Sequence, residues 1–386
     1  MLQADAIITL VGGRYRLRER LGGSAYGVVW RALGPRGDVA LKLVNAAQMA
    51  RAHPDQRDRW TGSARKEIGF LQSLAPWDER HIVRLLDSGE HEGLPVMALE
   101  LMAGDLAAHV AGKVAARAAA PSADAGIVPG MAPARILDWL AQINQALAKV
   151  HQYGWRYLDL KPANVLLSAD GSARLADFGT NARMLDGPMP AYAGTASWQA
   201  PEQFFPGADG HYDTDARTDY FALGAMYYYL VTGGLPLRFC SDCGDAYRRH
   251  QGGGAAALLE AHGGQLPPTL HASEEALFLR RLGEPAHGNA AHGGLQQGDA
   301  TWRPAAGRAG GAEGAESSES GSAALALLRA LLAGERAARP ANAVQVSRLI
   351  AAARKTADPA HRRPFALPPV PLPPPARRAL YAGAHP

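Results

Sequence analysis

The chain has 386 residues, which is enough to bury a substantial core in one large domain or two lobes. With 47% hydrophobic and 20% charged residues it has the composition of a globular protein, and the formal charge of +4 is small and spread out, so nucleic-acid binding has little support. The N-terminus lacks a basic region followed by a long apolar core. The longest uncharged run, residues 220–237, is interrupted by glycines and a proline, so we expect a buried helix, no membrane span and a cytoplasmic protein.

The first hundred residues are predicted to be mainly β-strands, because short apolar runs are separated by glycine-containing turns. The predicted strands cover residues 15–23, 27–33 and 37–44, followed by two strands within 81–101. Helical spacing of apolar residues begins at residues 63–75 and dominates from about residue 133. Further helices are predicted at 133–154, 215–232, 322–333 and 342–354.

Three segments are low in complexity and are expected to be mobile: an Ala-rich insertion near 111–132, a Gly/Ala/His/Ser/Glu insertion near 283–321 and the Pro-rich tail 354–386. The proline run is either a plain spacer, which we favour, or a polyproline-II ligand for an SH3-like adaptor. Cys240 and Cys243 form one C-x-x-C pair, which could be a redox couple or half of a metal site. Because no second C-x-x-C follows, ordinary reduced thiols are the favoured interpretation.

A glycine-rich turn joins the first two predicted strands, where Gly22 and Gly27 would let backbone N–H groups approach an anion. Fifteen residues later, Lys42 lies in an apolar strand and needs an anionic partner, which Glu67 on the next helix can supply. Taken alone, these features would favour an ordinary hairpin and two surface charges.

A second polar cluster lies in "YLDLKPANVLL", and its polar side chains would be costly to bury without partners. The segments "RLADFGTNAR", "GTASWQAPEQF", "DARTDYFALG" and "ERAARPANA" follow in order. Together these motifs resemble a eukaryotic-type (Hanks-type) protein serine/threonine kinase, of the kind also common in bacteria, over about residues 15–353. The resemblance implies a bilobal α+β fold, with an extension at 1–14, a β-rich N-lobe at 15–102 and a mainly helical C-lobe at 103–353.

The resemblance also implies transfer of the γ-phosphate of Mg-ATP, with Mn²⁺ as an alternative ion, to a Ser or Thr hydroxyl of a protein substrate. It assigns nucleotide binding to Leu21, Gly22, Gly23, Ser24, Gly27, Val28, Ala40, Lys42, Glu67, Leu99, Glu100 and Met102. Among these, Val28 would roof the adenine, Leu99 would be the gatekeeper, and Ser24 replaces the usual middle glycine, which predicts weaker or altered nucleotide binding.

The chemistry is assigned by the same resemblance to Asp159 as base and Lys161 on the transferred phosphoryl group, with Asn164 and Asp177 holding the metal. Four further residues are expected to be structural or to line the substrate segment: Thr195, Glu202, Asp219 and Arg339.

Leu158 departs from the family pattern, because an arginine that receives an activation-loop phosphate normally stands there. No Ser or Thr occurs between Thr180 and Thr195, and Tyr192 is the one hydroxyl side chain in that stretch. The two absences agree, so we predict that activation-loop phosphorylation does not control this protein. A pseudokinase, suggested by Ser24, Leu158 and the insertions, and a small-molecule phosphotransferase are the alternatives.

Overall fold

The computed structural model describes residues 3–24, 26–118, 131–189, 191–283 and 323–357. Most of both predicted insertions and the tail from residue 358, including its proline run, lie outside these residues. The predicted adaptor site therefore stays a prediction.

The N-terminal region is a six-stranded antiparallel sheet with the strand order β1-β2-β3-β4-β6-β5. Its strands are β1 (Ile7–Leu10), β2 (Gly13–Gly23), β3 (Gly27–Gly34), β4 (Gly37–Val44), β5 (Leu85–His91) and β6 (Leu94–Glu100). Glu92 and Gly93, between β5 and β6, have φ angles of 51° and 75°, which match the tight turns that suit the twist of a hairpin.

Alternation along the strands gives the sheet one packed face, because side chains of a strand point to opposite sides in turn. Ile8, Leu17, Leu41, Val96 and Ala98 are buried together on that face. Assignment of residues 1–14 to an extension is therefore wrong in part, since β1 pairs with β2 along its whole length.

The C-terminal region is mainly helical and holds the larger core. Helices α1 (Ala46–Arg51) and α2 (Asp58–Ser73) lie between β4 and β5 of the N-terminal region. The helices of the C-terminal region are α3 (Leu106–Ala118), α4 (Pro133–Gln152), α5 (Pro201–Phe204), α6 (Ala216–Thr232), α7 (Arg238–His250), α8 (Gly254–Ala261), α9 (Ala272–Gly283), α10 (residues 323–331) and α11 (Ala343–Ala357). Five short strands complete the region: β7 (Gly104–Asp105), β8 (Trp155–Arg156), β9 (Val165–Leu167), β10 (Ala173–Leu175) and β11 (Ala182–Arg183).

Helix α6 is the centre of this core, and nearly all of its residues are buried. It begins at the cap residue Asp215, whose side chain accepts a hydrogen bond from Arg217 N, and it ends at Gly233 with a φ of 75°. This is the uncharged run that was expected to form a buried helix. Within the described ranges, no helix has the length and apolarity needed to cross a membrane.

Two predicted helix boundaries were wrong. Helix α2 begins at Asp58 rather than at residue 63. Helix α3 continues to Ala118, so residues 111–118 are helical and do not belong to an irregular insertion. Leu106 and Val110 are buried and anchor the start of α3, and the alanines that follow have high intrinsic helix propensity.

Candidate active site

One wall of the site is formed by side chains on the face of the N-terminal sheet opposite to its packed core. In the register of β4, Lys42 lies opposite Val29 on β3 and Met97 on β6, while Ala40 lies opposite Leu99. Because residues two apart share a face, these five side chains form one row. Ala40 and Leu99 thus lie on the same face of the sheet as Lys42, one pair further along the strands.

Val28 does not belong to this row, and its assignment to the adenine site was wrong. It pairs with Leu43 and packs against the small core on the opposite face of the sheet. Because successive side chains of a strand point to opposite faces, an assignment that is one residue off places the side chain on the wrong face of the sheet. Val29, opposite Lys42, is the residue that faces the site, and strict alternation from Lys42 was the signal that could have found it.

The Lys42 ammonium lies between two carboxylates. Its Nζ donates to Glu67 Oε2 at 2.7 Å and to Asp177 Oδ1 at 2.9 Å. Burial alone lowers the pKa of Lys42, but the charges of Asp177 and Glu67 outweigh it and raise that pKa above its usual range. In turn, the Lys42 charge holds the pKa of Asp177 below its ordinary value. Helix α2, strand β4 and the Asp177 loop therefore meet at one charged cluster.

The glycine-rich turn is closed on itself by Ser24. The Ser24 hydroxyl accepts hydrogen bonds from the N–H groups of Tyr26 and Gly27, each at 3.2 Å. Ser24 N donates to Gly27 O at 2.7 Å, and Asn45 Nδ2 donates to Ser24 O at 2.9 Å. Two N–H groups that could bind a phosphate are therefore already held by a side-chain hydroxyl.

The remaining residues predicted to bind the nucleotide lie around the ends of the strands. Leu21 is 48% exposed, and Gly22 and Gly23 pair with β3 at the end of β2. Glu100 N donates to Arg84 O at 3.0 Å, so this N–H group is already occupied. Met102 follows β6 and is half-buried.

Asp159 is the hub of the second polar cluster. Its Oδ1 accepts from Thr195 Oγ1 at 2.7 Å, and its Oδ2 accepts from Lys161 Nζ at 2.8 Å and from Asn164 Nδ2 at 3.0 Å. Lys161 Nζ also donates to Thr195 Oγ1 at 2.7 Å. Burial raises the pKa of Asp159 above its ordinary value, and the Lys161 charge only partly offsets this effect.

Asp219 on α6 holds the backbone of residues 157 and 158, which begin the loop that carries Asp159; we call residues 157–164 the catalytic loop. Asp219 Oδ2 accepts from Tyr157 N at 2.9 Å and Oδ1 accepts from Leu158 N at 2.7 Å. Leu158 has a φ of 67°, a left-handed conformation that is strained for a leucine, and Gln203 Nε2 donates to its carbonyl at 2.9 Å. Both main-chain groups of Leu158 are thus fixed, which keeps the strained residue in place.

Asn164 and Asp177 offer oxygen atoms that fit a hard divalent cation. Asn164 Nδ2 donates to Asp159 O at 2.9 Å and to Asp159 Oδ2, so the amide is oriented with its carbonyl oxygen as the available ligand atom. Asp177 lies in a left-handed conformation with a φ of 60° beside Lys42. An amide oxygen next to a carboxylate of lowered pKa suits Mg²⁺.

Many of these groups line one cavity of about 790 Å³, but Asn164 is not among the lining residues. Its walls include the charged residues Lys42, Glu67, Asp159, Lys161 and Asp177, and also Ser24, Gly27 and Thr195. Of the predicted residues nearer the adenine, Leu21, Ala40, Leu99 and Met102 lie outside its lining. The cavity instead extends past Thr195 to Tyr192 and Tyr247, where a second substrate could approach Asp159.

Comparison with known proteins agrees with this arrangement. A family model described as the protein kinase domain matches residues 15–274. The chain belongs to the protein kinase family. It is 33% identical to the serine/threonine-protein kinase PknE of Mycobacterium bovis over 230 residues, which make up 58% of this chain and 36% of that protein.

Two other relatives match different shares of this kinase-family chain. The serine/threonine-protein kinase PknL of Mycobacterium bovis is 27% identical over 248 residues, 62% of this chain and 54% of PknL. Human rhodopsin kinase GRK1 is 40% identical over 112 residues, 28% of this chain and 19% of that protein. The chain spans about a third to a half of the length of the two mycobacterial relatives.

Glu202 and Arg339 form a buried ion pair in this kinase-family chain. Arg339 Nη1 donates to Glu202 Oε1 at 2.7 Å and Nη2 donates to Oε2 at 2.9 Å, and the Arg339 side chain is 0% exposed. Arg339 also donates to the carbonyl oxygens of Ala333 and Gly334. The pair fixes the segment that follows Thr195 against the C-terminal helices.

Tyr192, the one hydroxyl side chain between Thr180 and Thr195, is packed into the protein. Its ring stacks on Tyr247 with centroids 5.0 Å apart and 10° between the planes. The hydroxyl oxygen is buried, and burial raises the pKa of Tyr192 far above its usual range. A modifying enzyme would reach this oxygen only after the Tyr192 side chain moves.

The two cysteines are free and buried on α7, and burial raises the pKa of each thiol above its usual range. No cluster of three or more His, Cys, Asp or Glu side chains suited to a metal occurs among the residues the structure describes. Ordinary thiols remain the favoured interpretation of this pair.

Arg156 is the polar residue that the sequence analysis missed. It is 1% exposed and lies on β8, two positions before Leu158. An arginine between Trp155 and Tyr157, in a segment predicted to be buried, was the available signal.

Proposed function

We propose that this protein is an active ATP-dependent protein serine/threonine kinase. The observation that carries the proposal is the simultaneous pairing of Lys42 with Glu67 and Asp177 in the cavity that also contains Asp159. Phosphoryl transfer depends on positioning and charge neutralisation, and it needs this lysine, this acidic residue and this base together.

The acceptor hydroxyl would approach Asp159 from the Thr195 side of the cavity. Asp159 orients the hydroxyl and takes its proton as the oxygen attacks the γ-phosphorus and the bond to the ADP oxygen breaks. Lys161, held between Asp159 and Thr195, neutralises the transferred phosphoryl group. Lys42 binds the α- and β-phosphates while Glu67 keeps its ammonium in position.

Asn164 and Asp177 would hold Mg²⁺, or Mn²⁺ in its place, through an amide and a carboxylate oxygen. The bound ion would offset the negative charge of the phosphates. Ordering of Asn164 by Asp159 supports this assignment, because the amide needs no rotation to present its oxygen.

We further propose that activation-loop phosphorylation does not control the enzyme. Leu158 offers no charge to receive a phosphate, and the buried Tyr192 hydroxyl supports the same conclusion. If mass spectrometry found a stoichiometric activation-loop phosphate that activity requires, this part of the proposal would be wrong.

A pseudokinase scaffold that binds nucleotide weakly and transfers no phosphate is the second candidate, and the self-closed turn at Ser24 is the observation that favours it. Because the Ser24 hydroxyl occupies two N–H groups, nucleotide phosphates would have to displace it.

One experiment separates the two candidates. The protein is incubated with labelled ATP, Mg²⁺ and a generic protein substrate, beside Asp159→Asn and Lys42→Ala variants. Lys149→Ala is the matched control, because Lys149 forms an ion pair with Asp78 (Nζ to Oδ1, 2.5 Å) and does not line the cavity. Transfer by the wild type and the control, lost in both site variants, supports the kinase; nucleotide binding without transfer supports the scaffold. Labelling of small metabolites alone would indicate a small-molecule phosphotransferase.

A further inference from the structure

Arg156 carries a buried positive charge that the proposed mechanism does not use. Its Nη1 donates to Thr214 O at 2.8 Å, to Thr214 Oγ1 at 3.0 Å and to Gly187 O at 3.2 Å. Its Nη2 donates to Arg183 O at 2.7 Å. Four contacts from one rigid guanidinium fix three separate chain segments relative to one another.

Two of the contacted residues, Arg183 and Gly187, lie in the chain run from Asp177 to Glu202, which we call the activation segment. Arg183 lies on β11, which pairs with β8, and Gly187 follows directly after the turn at residues 184–186. Thr214 belongs to the third segment and immediately precedes Asp215, the cap of α6. Helix α6 also carries Asp219, which holds the catalytic-loop backbone, so Arg156 connects the activation segment to the helix that supports Asp159.

The acceptors of Arg156 are main-chain carbonyls and one hydroxyl. Among the described residues, no acidic side chain forms an ion pair with this guanidinium; the carboxylates that act on it from a longer distance are those of Asp186, Asp219, Asp213 and Asp215. Burial lowers the pKa of Arg156, and these charges oppose that effect. Unlike a phosphate, main-chain carbonyls are always present, so this network needs no modification to form.

We propose that Arg156 is a positioning residue that fixes residues 183–187 through their carbonyls and thereby supplies, without phosphorylation, the order that related kinases obtain through an arginine at the position of Leu158. The inference rests on the proposed kinase function. Residues 183–187 begin the chain run that ends at Thr195, whose hydroxyl donates to Asp159, so their order affects the protein-substrate side of the cavity. The nucleotide side is built from other elements, namely β4, α2 and Asp177.

This division predicts a split in the kinetics of Arg156→Met. The KM for the protein substrate should rise and kcat should fall, while the dissociation constant for ATP stays the same. Hydrogen exchange of the main-chain amides in residues 183–189 should become about tenfold faster, because buried hydrogen bonds that order this segment are lost.

Arg156→Lys separates positioning from charge. A lysine keeps the positive charge, but one ammonium cannot reach carbonyls on both sides as the guanidinium does. Its exchange rates and KM should lie between those of the wild type and Arg156→Met. Arg354→Met is the control outside residues 183–187. Arg354 also donates to a carbonyl, Leu137 O at 3.1 Å, but it pairs with Asp138, is 41% exposed and joins α11 to α4.

The experiment measures exchange by mass spectrometry and kinetics with a protein substrate for the wild type and all three variants. Faster exchange confined to residues 183–189, with unchanged ATP affinity and an unaffected control, supports the inference. Unchanged exchange there in the folded Arg156→Met protein, or an equal loss of ATP affinity and substrate affinity, overturns it. Where Arg156→Met does not fold, Arg156→Lys decides by the same criteria. If the wild type transfers no phosphate, the proposed function fails, yet the exchange data still test Arg156.

Discussion

Replacing Glu202 by Gln should destabilise the protein markedly, because it leaves the Arg339 guanidinium buried without its carboxylate. Removing one partner of a buried ion pair costs about 3–5 kcal/mol. Arg339 would keep bonds to three carbonyls, and Glu202 is 15% exposed, so the low end of that range, about 3 kcal/mol, is expected. Urea unfolding followed by circular dichroism should show a lower midpoint with an unchanged slope.

The matched control is Glu275→Gln. Glu275 also binds an arginine bidentately, accepting from Nε and Nη2 of Arg329 at 2.6 Å each, but the Arg329 side chain is 58% exposed. Water replaces the lost contacts there, so the loss of stability should be far smaller. Equal losses in the two variants would refute the argument that burial, and not geometry, makes the Glu202 pair important.

Three further outcomes follow from the site. Ser24→Gly should lower the KM for ATP about fivefold, because it releases the two N–H groups that the hydroxyl holds; an unchanged or higher KM speaks against this role. Gly194→Ala should reduce phosphate transfer about a hundredfold, because the clash would displace groups next to Asp159. Gly194 has a φ of 105°, and a Cβ there would lie 2.5 Å from Leu158 O. Full activity of this variant would show that the backbone at Gly194 has room for a side chain. Because burial raises the pKa of Asp159 and the base must be ionised, kcat/KM should fall on the acid side at a pH above the ordinary pKa of an aspartate; an acid limb at or below that ordinary pKa would count against Asp159 as base.

The motifs with chemistry could be predicted from the sequence because their residue types are costly to bury without a reason. Lys42, Glu67, Asp159 and Asp177 are such residues, and the structure brings all four into one cavity. Position within a strand was harder to predict. Val28 and Val29 are chemically identical, so only the pairing register with β4 shows which one faces the site.

Strand β1 and the end of α3 were missed for a different reason. β1 has only four residues, and its stability comes from pairing with β2, which no local pattern reveals. In α3, an Ala-rich composition was taken as low complexity, although buried residues at the start of the helix allow it to continue. Arg156 was missed because its acceptors are carbonyls, which leave no trace in the sequence.

Burial of both cysteines has a practical consequence for following the activation segment. Cys240 and Cys243 are the two cysteines of the sequence, both are buried, and a thiol with a raised pKa reacts slowly with alkylating probes. Leu185, between Arg183 and Gly187, is 96% exposed. A Leu185→Cys variant would therefore accept a fluorescent label selectively, with no need to remove either native cysteine. The label would report directly on how firmly this stretch is held during turnover.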